Sequence, residues 1–266
     1  GMMPAWMINP TRHTFLTYND DLGVQNLAFT HSLTSTDNAA SSAFISGLTA
    51  SNIASFGGGA DPTLVGTVDV HAIRLSAIAS NETTFTGGQL NIRSGGLIAQ
   101  NNNATGRVNL GSNVYFGDGS TPVEGVIFNS ANNITTLIGG VVTAANLTLH
   151  GNGNLQLTNT ANQIAGNIQM NGGKLFLDGA GTAGTGTSIT LGGDWLQNND
   201  GNQMAELWLR TNNNANTTWT NGVIISQNMP YARIIGGRYT GTSTAVGTNT
   251  IPSLLIEGTS TLQGTT

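Results

Sequence analysis

Apolar and polar residues alternate over three to five positions at many places along the chain, with glycine and asparagine between these stretches. Such alternation is typical of short β-strands that bury one face, and Gly, Asn and Asp suit the tight turns between them. Three stretches begin at Leu147, Ile168 and Ile189, which are 21 residues apart. A strand–glycine–strand phrase recurs in this way over residues 146–157, 167–177, 188–196 and 253–263.

The recurrence predicts stacked coils, because a repeat of this length buries its apolar face only against its neighbours. Two or three short strands per repeat favour an all-β fold: a single-stranded parallel β-helix of about ten turns. The apolar pairs interpreted as successive turns are 16 to 21 residues apart, except for a last interval of 31. They are Ile73/Leu75, Leu90/Ile92, Val108/Leu110, Val126/Phe128, Leu147/Leu149, Ile168/Met170, Ile189/Leu191, Leu207/Leu209, Val223/Ile225 and Leu254/Ile256.

Two regions differ in their pattern. Residues 67–266 carry the repeat, whereas residues 1–66 do not follow it and are predicted to form an irregular amino-terminal cap with the first turns. A short helix is one interpretation of residues 41–56, although Gly47 and the β-branched residues there argue against it. An antiparallel sandwich also produces short strands at regular spacing. The constant spacing inside the phrase favours the solenoid.

The alternation also predicts which side chains face outward. In Leu175-Phe176-Leu177 the two leucines point inward and the phenylalanine points outward. By the same reasoning Tyr115 and Trp208 face outward. Exposed aromatic rings stack on sugars or enter a partner's pocket, so Tyr115, Phe176 and Trp208 are the candidate surface-binding residues. The alternative is that neighbouring loops fold over these rings.

Composition excludes several functions. Charged residues make up 8% of the chain, the net charge is -5, and lysine occurs once, at Lys174. Nucleic-acid binding needs clustered Lys and Arg, so no nucleic-acid partner is expected. Cysteine is absent, which excludes disulfides and thiolate metal sites. No apolar run reaches the roughly 18–20 residues of a membrane span, and no cofactor is expected.

The acidic residues are the candidates for catalysis. Glycoside hydrolysis needs two facing carboxylates, and acids at one position of neighbouring coils, about 4.8 Å apart, are able to pair. Asp118 and Asp178 are first interpreted as turn residues, and Arg210 is a candidate neighbour of Asp194. No catalytic, cofactor-binding or metal-binding residue is predicted. The acids considered are Asp118, Glu124, Asp178, Asp194 and Asp200.

Three phrases, at residues 87–97, 153–158 and 172–179, resemble the autotransporter-associated β-strand repeat, and so does the opening at residues 6–24. The resemblance implies a right-handed parallel β-helix in a large secreted or cell-surface bacterial protein with a structural or adhesive role. Glycans or neighbouring surface proteins are the implied partners. The last phrase, at residues 253–263, stops in mid-phrase near Thr266, and an uncapped end of this kind predicts end-to-end self-association at the carboxy-terminal edge or continuation into a longer solenoid. The alternative is a carbohydrate-active β-helix or a glycan-binding module.

Overall fold

The protein is described by a computed structural model that covers residues 2–5, 7–77, 82–101, 106–130, 135–186, 188–192, 204–212, 215–226, 231–240 and 248–257. Within these residues the chain is mostly β-strand, with one short helix. Nearly all strand pairs are parallel, which confirms the prediction of an all-β, solenoid-like fold over an antiparallel sandwich. The described part contains no helix of the length and apolarity that a membrane span requires.

The largest sheet has ten strands, which lie side by side in chain order and run parallel to their neighbours. Its first strand already lies within the segment 1–66. The strands are β4 (His31–Ser35), β5 (Ile53–Gly58), β7 (Ala72–Ala77), β10 (Gly96–Asn101), β13 (Gly125–Asn129), β16 (Leu147–Gly151), β19 (Ile168–Met170), β21 (Ser188–Leu191), β24 (Gly222–Ile225) and β27 (Leu254–Ile256).

Two further parallel sheets also keep chain order. The seven-stranded sheet contains β8 (Thr83–Phe85), β11 (Val108–Leu110), β14 (Thr135–Ile138), β17 (Asn154–Leu157), β20 (Gly173–Asp178), β22 (Met204–Asn212) and β25 (Tyr231–Thr240). The five-stranded sheet contains β6 (Thr67–Val70), β9 (Gln89–Ile92), β12 (Asn113–Phe116), β15 (Val142–Ala144) and β18 (Gln163–Ile164). A two-stranded parallel pair joins β23 (Thr217–Thr218) to β26 (Asn249–Thr250).

The order in which the chain enters the three sheets explains this arrangement. From β7 to β19 the chain passes from the ten-stranded to the seven-stranded to the five-stranded sheet and then returns to the first. Each of these coils therefore adds one strand to each sheet, beside the strand of the coil before, whereas the coil of β19 and β20 has no third strand among the described residues. In the last coils β23 and β26 occupy the third place in this cycle.

The inward side chains form one apolar cluster that extends along the whole stack of coils. Leu175 and Leu177 are fully buried while Phe176 is partly exposed, which confirms the predicted alternation in β20. Burying each leucine contributes roughly 1.5–3 kcal/mol. The continuous core is thus the main source of stability for coils that are individually short.

The alignment of the apolar pairs as successive turns is partly wrong. Leu90/Ile92 lie in the five-stranded sheet, and Val108/Leu110 and Leu207/Leu209 lie in the seven-stranded sheet. The same inward alternation occurs in strands of all three parallel sheets, for example β11, β12 and β19, so the phrase marks a strand and not a whole coil. In β13 the inward residue is Ile127, which belongs to the central cluster, and Val126 does not. The partners in register along the ten-stranded sheet are Ile73, Leu97, Ile127, Leu149, Met170, Leu191, Ile225 and Ile256.

The amino-terminal segment packs in two places. Strands β1 (Ile8–Asn9), β2 (Thr14–Asn19) and β3 (Gly23–Asn26) form an antiparallel sheet whose Phe15 is fully buried with Ile53, Ala72 and Ile98, outside the central cluster. This small sheet lies on the outer face of the ten-stranded sheet. It therefore covers the outward apolar side chains of the ten-stranded sheet at this place.

Helix α1 (Asn38–Ser46) supports the first coils. The Asp37 side chain accepts a hydrogen bond from the Ala40 amide at 2.6 Å and caps the helix, which ends at Gly47. Ile45 is fully buried and joins the central cluster, and the Phe44 ring lies 5.9 Å from that of Phe56. The helix thereby covers apolar core beside the first strands of the stack.

Leu175→Asp is expected to lower the free energy of unfolding by at least about 3 kcal/mol, because it removes a buried leucine and buries an unpaired carboxylate. Urea denaturation followed by far-UV circular dichroism measures the change. Thr143→Asp, at an outward position of β15, introduces the same charge on a strand surface and is expected to change stability little. Equal losses in the two variants would contradict the assigned direction of β20.

Gly140→Ala is expected to destabilise the stack by about 1–3 kcal/mol, because coils approach too closely there for a side chain. A Cβ on Gly140 would lie 2.0 Å from the Ser112 carbonyl oxygen, whereas one on Gly139 would meet Thr158 Oγ1 at 3.7 Å. Gly139→Ala is therefore the matched control and is expected to be neutral or slightly stabilising. Thermal denaturation of both variants compares them, and an unaffected Gly140→Ala would refute the close approach.

Candidate binding surface

Outward side chains of the seven-stranded sheet line up along the stack because its strands pair in register. Residues Leu137, Gln156, Phe176, Trp208 and Ile235 occupy matching positions on β14, β17, β20, β22 and β25. We call these five residues the axial stripe. Neighbouring strands are about 4.8 Å apart, so the stripe extends about 19 Å from first to last residue. All five side chains are partly exposed.

Two aromatic rings lie at the middle of the axial stripe. The ring centroids of Phe176 and Trp208 are 5.4 Å apart, with an angle of 35° between the ring planes. The Arg210 guanidinium lies over the Phe176 ring, 4.7 Å from its centroid, which is the geometry of a cation–π contact. The stripe therefore offers a partly apolar surface with one aromatic ring held by an arginine.

A row of charged residues lies on one side of the stripe, with Lys174, Glu206 and Arg233 at matching positions on β20, β22 and β25. Lys174 Nζ lies 3.2 Å from Glu206 Oε2, and Arg233 Nη1 lies 3.1 Å from Glu206 Oε1. Trp208 Nε1 donates a hydrogen bond to Glu206 Oε2 at 3.1 Å. We call these three charged residues the charged row. Its single carboxylate has three partners, one of which belongs to the stripe.

A separate ion pair, between Arg210 and Asp178, lies on the opposite side of the stripe. Arg210 Nε donates to Asp178 Oδ1 at 2.6 Å, and Arg210 Nη2 lies at the same distance from that oxygen. Gln156 Nε2 donates to Asp178 Oδ2 at 2.7 Å. Asp178 is buried. A buried carboxylate needs partners, and this one has the charged side chain of Arg210 and the uncharged amide of Gln156. Gln156 and the rings of the stripe are in this way tied to the charges beside them.

The charged row keeps Glu206 ionised. Burial is the largest single influence and opposes ionisation, but hydrogen bonds from Trp208 and Lys174 and the charges of Lys174 and Arg233 outweigh it. The pKa of Glu206 is consequently lowered from its usual value of 4.5. At neutral pH this carboxyl group is an acceptor without a proton to donate.

The aromatic residues predicted to face outward are not all together. Phe176 and Trp208 meet on the axial stripe, whereas Tyr115 lies on the five-stranded sheet in a row with Asp69, Asn91, Thr143 and Gln163. Burial, and secondly the negative charge of Asp118, raise the pKa of Tyr115. The role of Tyr115, Phe176 and Trp208 in binding stays a prediction.

Asp118, Glu124 and Asp178, the candidate acids that the structure describes, have separate hydrogen-bond partners. Asp118 Oδ1 accepts hydrogen bonds from the amides of Ser120 at 2.9 Å and Thr121 at 2.7 Å, and these bonds lower the pKa of this exposed group. It is a turn residue, as predicted. Glu124 accepts a hydrogen bond from the Thr148 hydroxyl group on the ten-stranded sheet. Asp194 and Asp200 lie outside the described residues.

Asp178 differs from its first interpretation as a turn residue, since it is the last residue of strand β20 and pairs with Arg210. Among the residues that the structure describes, no group of three or more His, Cys, Asp or Glu is placed to hold a metal ion. The two carboxylates nearest the stripe, Asp178 and Glu206, are each occupied by cations.

Sequence reasoning missed the charged row. The signal is present in the segments Lys174-Leu-Phe-Leu-Asp178 and Glu206-Leu-Trp-Leu-Arg210, where opposite charges flank an aromatic residue at equal spacing. Recognising it requires knowing that these two strands pair directly. The unequal lengths of chain between strands conceal that pairing.

The chain was compared with protein-family models, with curated proteins and with solved structures, and nothing matched in any of the three. The resemblance to the autotransporter-associated repeat thus stays a prediction.

Glu206→Gln is expected to lower stability at pH 7, because it removes a buried carboxylate that holds two cations. A lowered pKa contributes stability above the ordinary value of 4.5, and this contribution is lost as the pH falls through the lower folded-state value. The stability difference between wild type and Glu206→Gln should therefore shrink on acidification below about pH 4.5. Urea denaturation at a series of pH values tests this.

The control is Glu82→Gln, which removes an exposed carboxylate paired with Arg107 at 2.8 Å. Exposed pairs are worth about 0–1 kcal/mol, so its effect should be small at every pH. A Glu206→Gln effect that stays constant between pH 7 and pH 3 would contradict the assigned ionisation.

Proposed function

We propose that this chain is a structural and adhesive solenoid segment of a large secreted or cell-surface bacterial protein. In this role a stiff stack of coils holds the axial stripe at a fixed position and presents it to glycans or to neighbouring surface proteins. The observation that carries the proposal is the unbroken parallel register of the ten-stranded sheet over one continuous apolar core.

The proposal includes a right-handed parallel β-helix of about ten turns. Ten strands in chain order support the number of turns. Crossovers between parallel strands of a sheet are right-handed in about 98% of cases, which supports the handedness. The bacterial and extracellular assignment derives from the resemblance of the repeat phrases and from no other observation.

End-to-end self-association is also proposed. Strand β27 is the last of its sheet among the described residues, and its Leu254 and Leu255 side chains are exposed. An unpaired edge with apolar side chains is a template for strand pairing with another chain.

A carbohydrate-active solenoid is the second candidate function. Two buried carboxylates, Asp178 and Glu206, flank the aromatic rings and lie close to arginines. Hydrolysis of a glycosidic bond requires one carboxyl group that is protonated near neutral pH, with a raised pKa. The lowered pKa of Glu206 favours binding without turnover.

Adhesion is tested with beads coated with the protein on surfaces that carry neutral or acidic polysaccharides. We expect retention under flow without release of sugar fragments, and loss of retention for Trp208→Ala. Tyr18→Ala removes an exposed aromatic ring on the amino-terminal sheet and should leave retention unchanged. Fragment release would support the carbohydrate-active candidate, and absence of retention on every polysaccharide would overturn adhesion to glycans.

A further inference from the structure

We propose that the axial stripe and the charged row together bind a linear acidic polysaccharide, with its chain parallel to the axis of the stack. This inference rests on the proposed adhesive function and adds the class of ligand. The sugar rings would lie on Trp208 and Ile235, and their carboxylates would meet Arg233 and Lys174.

The charge that a ligand meets on this surface is positive, although the whole chain has a net charge of -5. The carboxylates are withdrawn from solvent, since the side chains of Glu206 and Asp178 are 2% and 3% exposed. The cations are more accessible: the side chains of Arg233, Lys174 and Arg210 are 60%, 34% and 18% exposed. Three cations against two anions leave one excess positive charge, located on the exposed atoms.

The geometry of the surface favours a linear polymer of rings. The stripe is straight because its members are in register, and its positions repeat with the strand spacing of about 4.8 Å. Rings and a polar amide succeed one another along it, from Gln156 to Phe176 and Trp208. Aromatic faces accept the apolar faces of sugars, and the amide offers hydrogen bonds to hydroxyl groups.

The two accessible cations have different uses. The guanidinium of Arg233 contacts Glu206 through Nη1, while most of its side chain faces solvent. A planar guanidinium accommodates a carboxylate through two parallel hydrogen bonds, and an ammonium group such as that of Lys174 acts as a point charge. Arg233 is therefore the residue expected to distinguish an acidic sugar from its neutral equivalent.

The test measures binding in solution of hyaluronan and of hyaluronan with its carboxyl groups converted to methyl esters, which share one backbone and differ in charge. We expect the acid form to bind at least roughly tenfold more tightly, the order of losing one charge-assisted hydrogen bond. Arg233→Gln should reduce this preference, and Trp208→Ala should weaken binding of both forms. Circular dichroism and thermal denaturation confirm that each variant is folded.

Arg12→Gln is the matched control, because it changes the net charge equally at an exposed arginine just before β2, on the amino-terminal sheet and away from the seven-stranded sheet. Equal weakening by Arg233→Gln and Arg12→Gln would overturn the proposal in favour of diffuse charge attraction. Equal competition by poly-L-glutamate would overturn it in favour of any extended polyanion, peptides included.

The outcomes also separate this inference from the adhesive function. If the acid and ester forms bind equally, the preference for acidic sugars is wrong while adhesion to glycans stands. If neither form binds and the coated beads are not retained on any polysaccharide, this inference and adhesion to glycans fail together.

Discussion

In-register parallel pairing of successive coils is the constraint on which the rest of the structure depends. A strand has a side-chain period of two, so a shift of one residue would turn an inward row of leucines outward. Register therefore produces two results at once. It joins Leu155, Leu175 and Leu207 in a buried row, and it places Gln156, Phe176 and Trp208 in an outward row one position further along.

The charges beside the stripe follow from the same register. Lys174 lies next to Glu206 and Asp178 lies next to Arg210 because both pairs belong to one ladder between β20 and β22. A buried carboxylate without a partner would cost several kcal/mol, so each of these acids needs a cation on the adjoining strand. The pairs satisfy the buried acids and leave the accessible surface with positive charge.

The small antiparallel sheet and helix α1 depart from the repetition of coils, and each covers apolar residues that the coils leave exposed. The outer face of the ten-stranded sheet carries Ile98 and Ala72, apolar residues that would otherwise face water, and the small antiparallel sheet with Phe15 covers them. Arg74 adds a further link, with its guanidinium 4.2 Å from the centroid of the Phe29 ring. Helix α1 brings Ile45 into the core beside the first strands, a position that stacking of coils alone would leave open.

The sequence by itself determined that the chain is mostly β-strand, that its strands are short, and which side chains face inward in most of them; β13 is an exception, because Ile127 and not Val126 joins the central cluster. It also determined that Phe176 and Trp208 face outward. Each of these properties follows from the period of two within a single strand, which is local. Helix α1 was less clear from sequence, where Gly47 and the β-branched residues argued against a helix over residues 41–56. The helix begins earlier, at Asn38 after the Asp37 cap, and Gly47 caps its end.

Only the tertiary structure decided which strands share a sheet, and therefore that Trp208 lies next to Phe176 while Tyr115 lies on another sheet. It also decided the pairing of Glu206 with Lys174 and Arg233. The same alternation occurs on all three sheets, and the lengths of chain between paired strands vary, so spacing does not reveal the partner. Partner choice is set by contacts between residues distant in sequence, where burial of the common core and pairing of the charges are satisfied together.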